Sequence, residues 1–155
     1  MMRSSVDVCN HLQSKDVQHE LVTLSGPVKN ASNMAEILGL KPKAVIKTLL
    51  FMADGKPVMA MIPGDRKADK AKLKQHLKVD KVTFASENDI RTIADYLATA
   101  LPPVGLKQPV TTILDKRIKT GDIVYTAGGS PNVVLKIRVA DLLEVTEATV
   151  ADIGE

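Results

Sequence analysis

Lys47 is the residue whose setting is most at odds with its chemistry. It lies in an apolar run from Ala44 to Met52. In a strand it shares one face with Val45, Leu49 and Phe51, while Ile46, Thr48, Leu50 and Met52 take the other. Apolar residues on both faces predict a central strand, where an unpaired ammonium is costly. Two readings stay open. In one, the stem packs in the core and the head snorkels out at a barrel end. In the other, a fixed cation faces a pocket, ready for a carbonyl, phosphate or carboxylate.

A second cationic feature follows. Residues 65–81 carry seven Lys or Arg against three Asp, a net +4, so the remaining residues of a +3 chain sum to −1. Lys67, Lys70, Lys74 and Lys78 are spaced 3, 4 and 4 apart, one stripe if a single helix continues that far. Such a stripe is either a solvated face or a track for an RNA phosphate backbone, which binds without reading sequence.

Two loops complete the set. Pro102-Pro103-Val104-Gly105 is stiff, and Ala127-Gly128-Gly129-Ser130 is permissive and rich in N–H groups. Loops of this kind can hold a small ligand, although neither matches a P-loop or a dinucleotide fingerprint. Ser130 lacks the context of a nucleophile elbow. His11, His19 and His76 are scattered without metal-ligand spacing, and the single cysteine, Cys9, reads as a packing residue. No metal or cofactor is expected, so catalysis here would act through positioning and electrostatics.

The elements that must position these residues follow from periodicity and turn chemistry. Ser5 to Ser14 reads as a helix burying Val8 and Leu12, and Glu20 to Leu24 as a short strand. Asn33 with Glu36 predicts a capped helix ending at Gly39. Asp54-Gly55 between two apolar runs predicts a hairpin whose second strand runs from Pro57 to Ile62. Asp65 to Leu77 looks helical. Ser86 caps a further helix burying Ile90, Ile93, Ala94 and Leu97. Strands are expected at Val110 to Leu114, Ile123 to Thr126 and Val133 to Ile137, with a last helix near Asp141. The fold class is α/β (α+β): a mixed, largely antiparallel sheet with helices packed outside.

The 155 residues, 45% of them hydrophobic, suit one domain over 1–155. Four aromatic residues, Phe51, Phe84, Tyr96 and Tyr125, leave the core to Leu, Val, Ile, Met and Ala, and are too few for a sheet of base-stacking platforms. The start, Met1 to Ser5, leads into no apolar signal core. No run reaches the roughly 18 apolar residues of a membrane span. One cysteine excludes a disulfide framework and fits a reducing cytosol.

Val45-Ile46-Lys47-Thr48-Leu49-Leu50-Phe51, then Asp54-Gly55, Pro63-Gly64-Asp65-Arg66 and Lys72-Leu73, resemble the YbaK/prolyl-tRNA editing-domain family. Pro103-Val104-Gly105, Ala127-Gly128-Gly129 and Asp141-Leu142-Leu143 extend the match in order from about His19 to Ile153. The resemblance implies a curved, barrel-like sheet and a cytoplasmic, metal-independent hydrolase that removes a wrong amino acid from tRNA. Mischarged tRNA is then the partner, with an aminoacyl-tRNA synthetase as a candidate second one, and neither DNA nor a membrane is involved. The family's essential lysine falls on Lys47, followed by Thr48. Its Gly-x-x-Pro substrate loop aligns with Ala100-Leu101-Pro102-Pro103, and the chain departs from it at Ala100. Gly128, Gly129, Ser130 and the segment Pro103 to Gly105 would shape the pocket, and the ribose 2′-hydroxyl could assist. The departure at Ala100 favours a rival reading, a non-catalytic module whose degenerate pocket holds aminoacyl-tRNA or a small ligand.

Overall fold

The computed structural model describes residues 2–155, so Met1, at the head of the expected domain and start segment, lies outside the described residues. Helix α1, Ser5–Ser14, begins with Ser4 and Asp7 capping each other's backbone, and it buries Val8 and Leu12 as its pattern predicts. Strand β1 is Glu20–Thr23. Helix α2 is Ala31–Leu38, one residue before the left-handed Gly39 (φ 67°). Its cap is Asn30 rather than Asn33. Asn30 Oδ1 accepts from Asn33 N at 2.8 Å while Asn33 Oδ1 accepts from Lys29 N at 2.9 Å. The side-chain oxygen of Asn33 thus reaches back past the cap to Lys29, and the expected pairing of Asn33 with Glu36 is replaced by one between Asn30 and Asn33.

Strands β2, Ile46–Ala53, and β3, Lys56–Pro63, form the expected hairpin. Asp54 and Gly55 both have positive φ, 48° and 80°, as a two-residue hairpin turn requires. Helix α3 is Lys70–Leu77, shorter than the expected Asp65–Leu77. Asp69 ends it at the front by accepting from Ala71 N and Lys72 N. The preceding residues pair instead with the far end of the chain: Asp69 N donates to Ile153 O, Glu155 N donates to Lys67 O, and Ala68 bridges Gly154.

Strand β4, Val82–Phe84, is not expected from the sequence pattern. Helix α4, Glu87–Ile93, is capped by Ser86. Leu97, expected inward, is 40% exposed, and Tyr96 is fully buried in its stead. Strands β5 (Thr111–Asp115), β6 (Ile123–Ala127) and β7 (Val133–Arg138), helix α5 (Val139–Thr146) and the short β8 (Thr149–Ala151) complete the chain.

The strands form two sheets, ordered β1-β7-β6 and β4-β2-β3-β5-β8. Pairing is antiparallel except at β3–β5 and β5–β8. The mixed, largely antiparallel arrangement with helices outside is as expected. The sheets meet through a bridge between Val45 and Tyr125 without closing a barrel. β2 is buried on both faces. Ile46, Leu50 and Met52 join the core that also contains Val8, Leu12 and Tyr96, while Leu49, Phe51 and Ala53 join the one containing Leu73 of α3. Both cores are mainly aliphatic.

Candidate functional site

Lys47 lies near the start of β2, opposite Ile62 of β3. β4 flanks β2 only from Phe51 to Ala53, so the other end of β2 faces the gap between the sheets. β6 reaches into that gap. Thr126 is fully buried, and its hydroxyl donates to the Ile46 carbonyl at 3.0 Å. With that proton committed, its oxygen accepts from Thr48 Oγ1 at 3.1 Å. Two threonines therefore pin the first residues of β2 to the second sheet.

The strand's alternation sends Lys47 toward the α3 side. Its side chain is half-buried and its Nζ donates to the carbonyl of Arg66 at 2.6 Å. The segment carrying that carbonyl is held by the C-terminal residues, and Arg66 Nη1 donates to Glu155 O. The C-terminal residues are held in turn by Asp115, whose buried Oδ1 accepts from Ile153 N, Gly154 N and Arg117 Nη1. Among the described residues no carboxylate is in ion-pair reach of Lys47. An ammonium has three donors, so two remain for a ligand.

Lys47 forms part of the wall of two cavities. One, of about 310 Å³, lies toward the second sheet and is bounded by Val28, Met34, Ile46, Thr48, Leu101 and Thr126, among others. The other, of about 570 Å³, lies toward α3 and includes Leu49, Lys67, Asp69, Lys70, Phe84 and Glu155. The Asp69 carboxylate accepts from the helix N–H groups and keeps its charge, so the three lysines of this cavity stand against two acidic residues, Asp69 and Glu155.

The structure brings together only part of the set read from the sequence. Lys47 and Thr48 share the smaller cavity with Ala98, Thr99 and Leu101. Ala100 is buried, does not line that cavity, and accepts from Gly129 N through its carbonyl at 3.1 Å. It is not among the residues with positive φ, so its backbone does not require glycine. Pro102 is buried and lines neither cavity. Pro103 and Gly105 border a different cavity of about 720 Å³, beside His11 and Glu144. Tyr96 fixes that turn by donating to Gly105 O at 2.7 Å, and burial raises its phenol pKa, keeping it a donor.

The amides of Gly128 and Gly129 are taken by Val133 O and Ala100 O, and Ser130 Oγ accepts from Ser5 N at 3.0 Å. Gly129 has φ 97°, and a Cβ there would meet Val8 Cγ2 at 2.8 Å and Ser4 O at 3.0 Å. This turn docks α1, and its neighbour Ala127 reaches the Lys47 cavity. Lys67 and Lys70 line the larger cavity, whereas Lys74 and Lys78 do not. The one-helix stripe is not formed: Lys67 precedes α3 and Lys78 is its left-handed C-cap. The sequence reading missed Thr126, visible only as a buried hydroxyl once β6 is placed, and Phe84.

Comparison with known proteins identifies the family. The profile of the aminoacyl-tRNA editing domain matches residues 25–145. The chain belongs to that family. The editing domain is 30% identical over 148 residues to the proline–tRNA ligase of Streptococcus sanguinis, covering 89% of this chain and 24% of that protein. It is 32% identical over 145 residues to the ligase of Streptococcus equi subsp. zooepidemicus, covering 87% and 24%. The chain therefore spans about a quarter of the length of these curated relatives. Among solved structures, the editing domain superposes on a hypothetical protein with a TM-score of 0.90 at 25% identity, covering 96% of this chain and 99% of that one. It matches the fold of a proposed trans-editing enzyme for prolyl-tRNA synthetase with a TM-score of 0.88 at 23% identity, covering 97% and 96%. None of its helices is long and apolar enough to cross a membrane, among the described residues.

Proposed function

We propose that residues 1–155 act as one editing domain that hydrolyses the ester of mischarged aminoacyl-tRNA in trans. The observation that carries this reading is the position of Lys47 in the shared wall of a small, mainly apolar cavity and a larger lysine-rich one. The first, at the low end of ligand-pocket volumes, takes the amino-acid side chain. The second takes the phosphate-bearing end of the RNA. The scissile carbonyl then lies at the ammonium.

An aminoacyl ester is already activated, so holding it, orienting a water and stabilising charge suffice. Water attacks the carbonyl carbon, and the new C–O bond leaves an oxyanion that Lys47 stabilises through its two uncommitted N–H groups. Collapse breaks the bond to the ribose oxygen, and a proton from the attacking water goes to that leaving oxygen, with the neighbouring 2′-hydroxyl assisting the transfer. Thr48 lines the amino-acid side of the site and is held there by Thr126. Lys67 and Lys70 contact phosphates; Lys74 and Lys78 belong to a more distant part of the same tRNA-facing surface. A second sieving pocket is useful because one site separates near-isosteric amino acids poorly.

Purified protein assayed against a broad panel of mischarged tRNAs tests the proposal. At least one member is cleaved well above the rate in buffer. If none is, while tRNA binds in a salt-sensitive manner, the non-catalytic module is the correct reading.

A further inference from the structure

Of the four aromatic residues, only Phe84 is exposed, at 57%; Phe51 and Tyr96 are fully buried and Tyr125 is half-buried. A single exposed ring is ordinary. This one differs in what surrounds it. It sits on the edge strand β4 directly opposite Phe51 of β2, and the two rings stack at 4.7 Å between centroids and 30° between planes. The buried Phe51 therefore supports one face of Phe84. Over the ring stands the Lys70 ammonium, 4.6 Å from the centroid. Phe84 also borders the cavity that contains Lys47, Lys67 and Lys70 along with Asp69 and Glu155.

A braced flat ring, with Lys70 over it and open to a cavity that Lys47 and Lys67 also line, suits a nucleobase with its phosphates. We propose that Phe84 is a stacking platform for an unpaired base of the tRNA 3′ end, next to the nucleotide that bears the ester. This rests on the editing reading above. The base displaces the Lys70 head, because an exposed cation–π contact is weaker than stacking of a base on an aromatic ring. The flexible lysine then turns to the adjoining phosphate, beside Lys67. Stacking accepts any base, as suits an end shared by all tRNAs.

The test is binding of an uncharged oligoribonucleotide ending in CCA, measured by titration calorimetry, because no ester is cleaved in it. Wild-type protein binds, Phe84→Leu weakens binding about tenfold, and Phe84→Trp retains it. Unchanged affinity in Phe84→Leu overturns the platform, as does an equal loss in Phe84→Trp. No binding by wild type, or free CMP competing as well as the oligonucleotide, overturns it too. The editing reading fails separately: normal oligonucleotide binding without deacylation removes that reading and keeps the platform.

Discussion

The ammonium of Lys47 donates a 2.6 Å hydrogen bond to the carbonyl oxygen of Arg66. That contact reconciles a lysine with a strand buried on both faces. One donor is satisfied by a neutral acceptor, so the charge is not cancelled, and Lys47 lines both cavities. The carbonyl is reliable as an anchor because residues 66–69 are paired with residues 153–155, which Asp115 fixes from beneath. Lys47 is thus held by its head group beside both cavities.

The cavity-lining lysines should matter more to tRNA than the remaining members of the expected stripe. Lys67→Glu with Lys70→Glu weakens tRNA affinity and lowers the slope of log K against log salt by about one for each phosphate that is no longer neutralised. Lys74→Glu with Lys78→Glu has a smaller effect. Filter binding across a salt series checks this, and equal losses for the two pairs would count against the larger cavity as the RNA side.

Thr126→Val removes a buried hydroxyl that joins the two sheets and leaves the Ile46 carbonyl without its partner. Urea unfolding should show a loss of about 1–3 kcal/mol. Deacylation falls as well, because Thr48 loses its acceptor. A variant as stable as wild type would mean that the sheet junction does not depend on this hydroxyl.

The C-terminal network predicts acid sensitivity. Hydrogen bonds first from Lys72 and then from Arg117 hold the Asp152 carboxyl at about 2, below its ordinary 3.8. A carboxylate with a depressed folded-state pKa contributes stability above the unfolded value and loses it as pH falls through the folded one. The urea midpoint of wild type therefore declines between pH 3.8 and about 2, and Asp152→Asn flattens that part of the decline. Parallel profiles for the two proteins would show that the network carries no net stability.

Local signals made much of this fold legible. Asp54-Gly55 and the two apolar runs specify the hairpin, and with it the strand that carries Lys47. Ser86 begins its helix where a cap residue should. What stayed hidden depends on distant partners. Nothing between Asp65 and Asp69 announces that these residues will pair near Gly154, so the helix looks longer than it is. Val82-Thr83-Phe84 is too short to identify as a strand, and the exposure of Phe84 follows from β4 lying at a sheet edge. Pro103 and Gly105 follow the cavity-lining Leu101 by only a few residues, yet they border another cavity. The amides of Gly128 and Gly129 look available in the sequence, but the fold uses both.

Single-turnover deacylation by wild type and Lys47→Ala, on the mischarged tRNA that wild type cleaves best, tests the central claim most directly. Lys47→Ala should lose at least ~100-fold in rate, the scale of removing one oxyanion donor, while its thermal unfolding and tRNA affinity stay near those of wild type. A variant that cleaves at the wild-type rate would contradict the account.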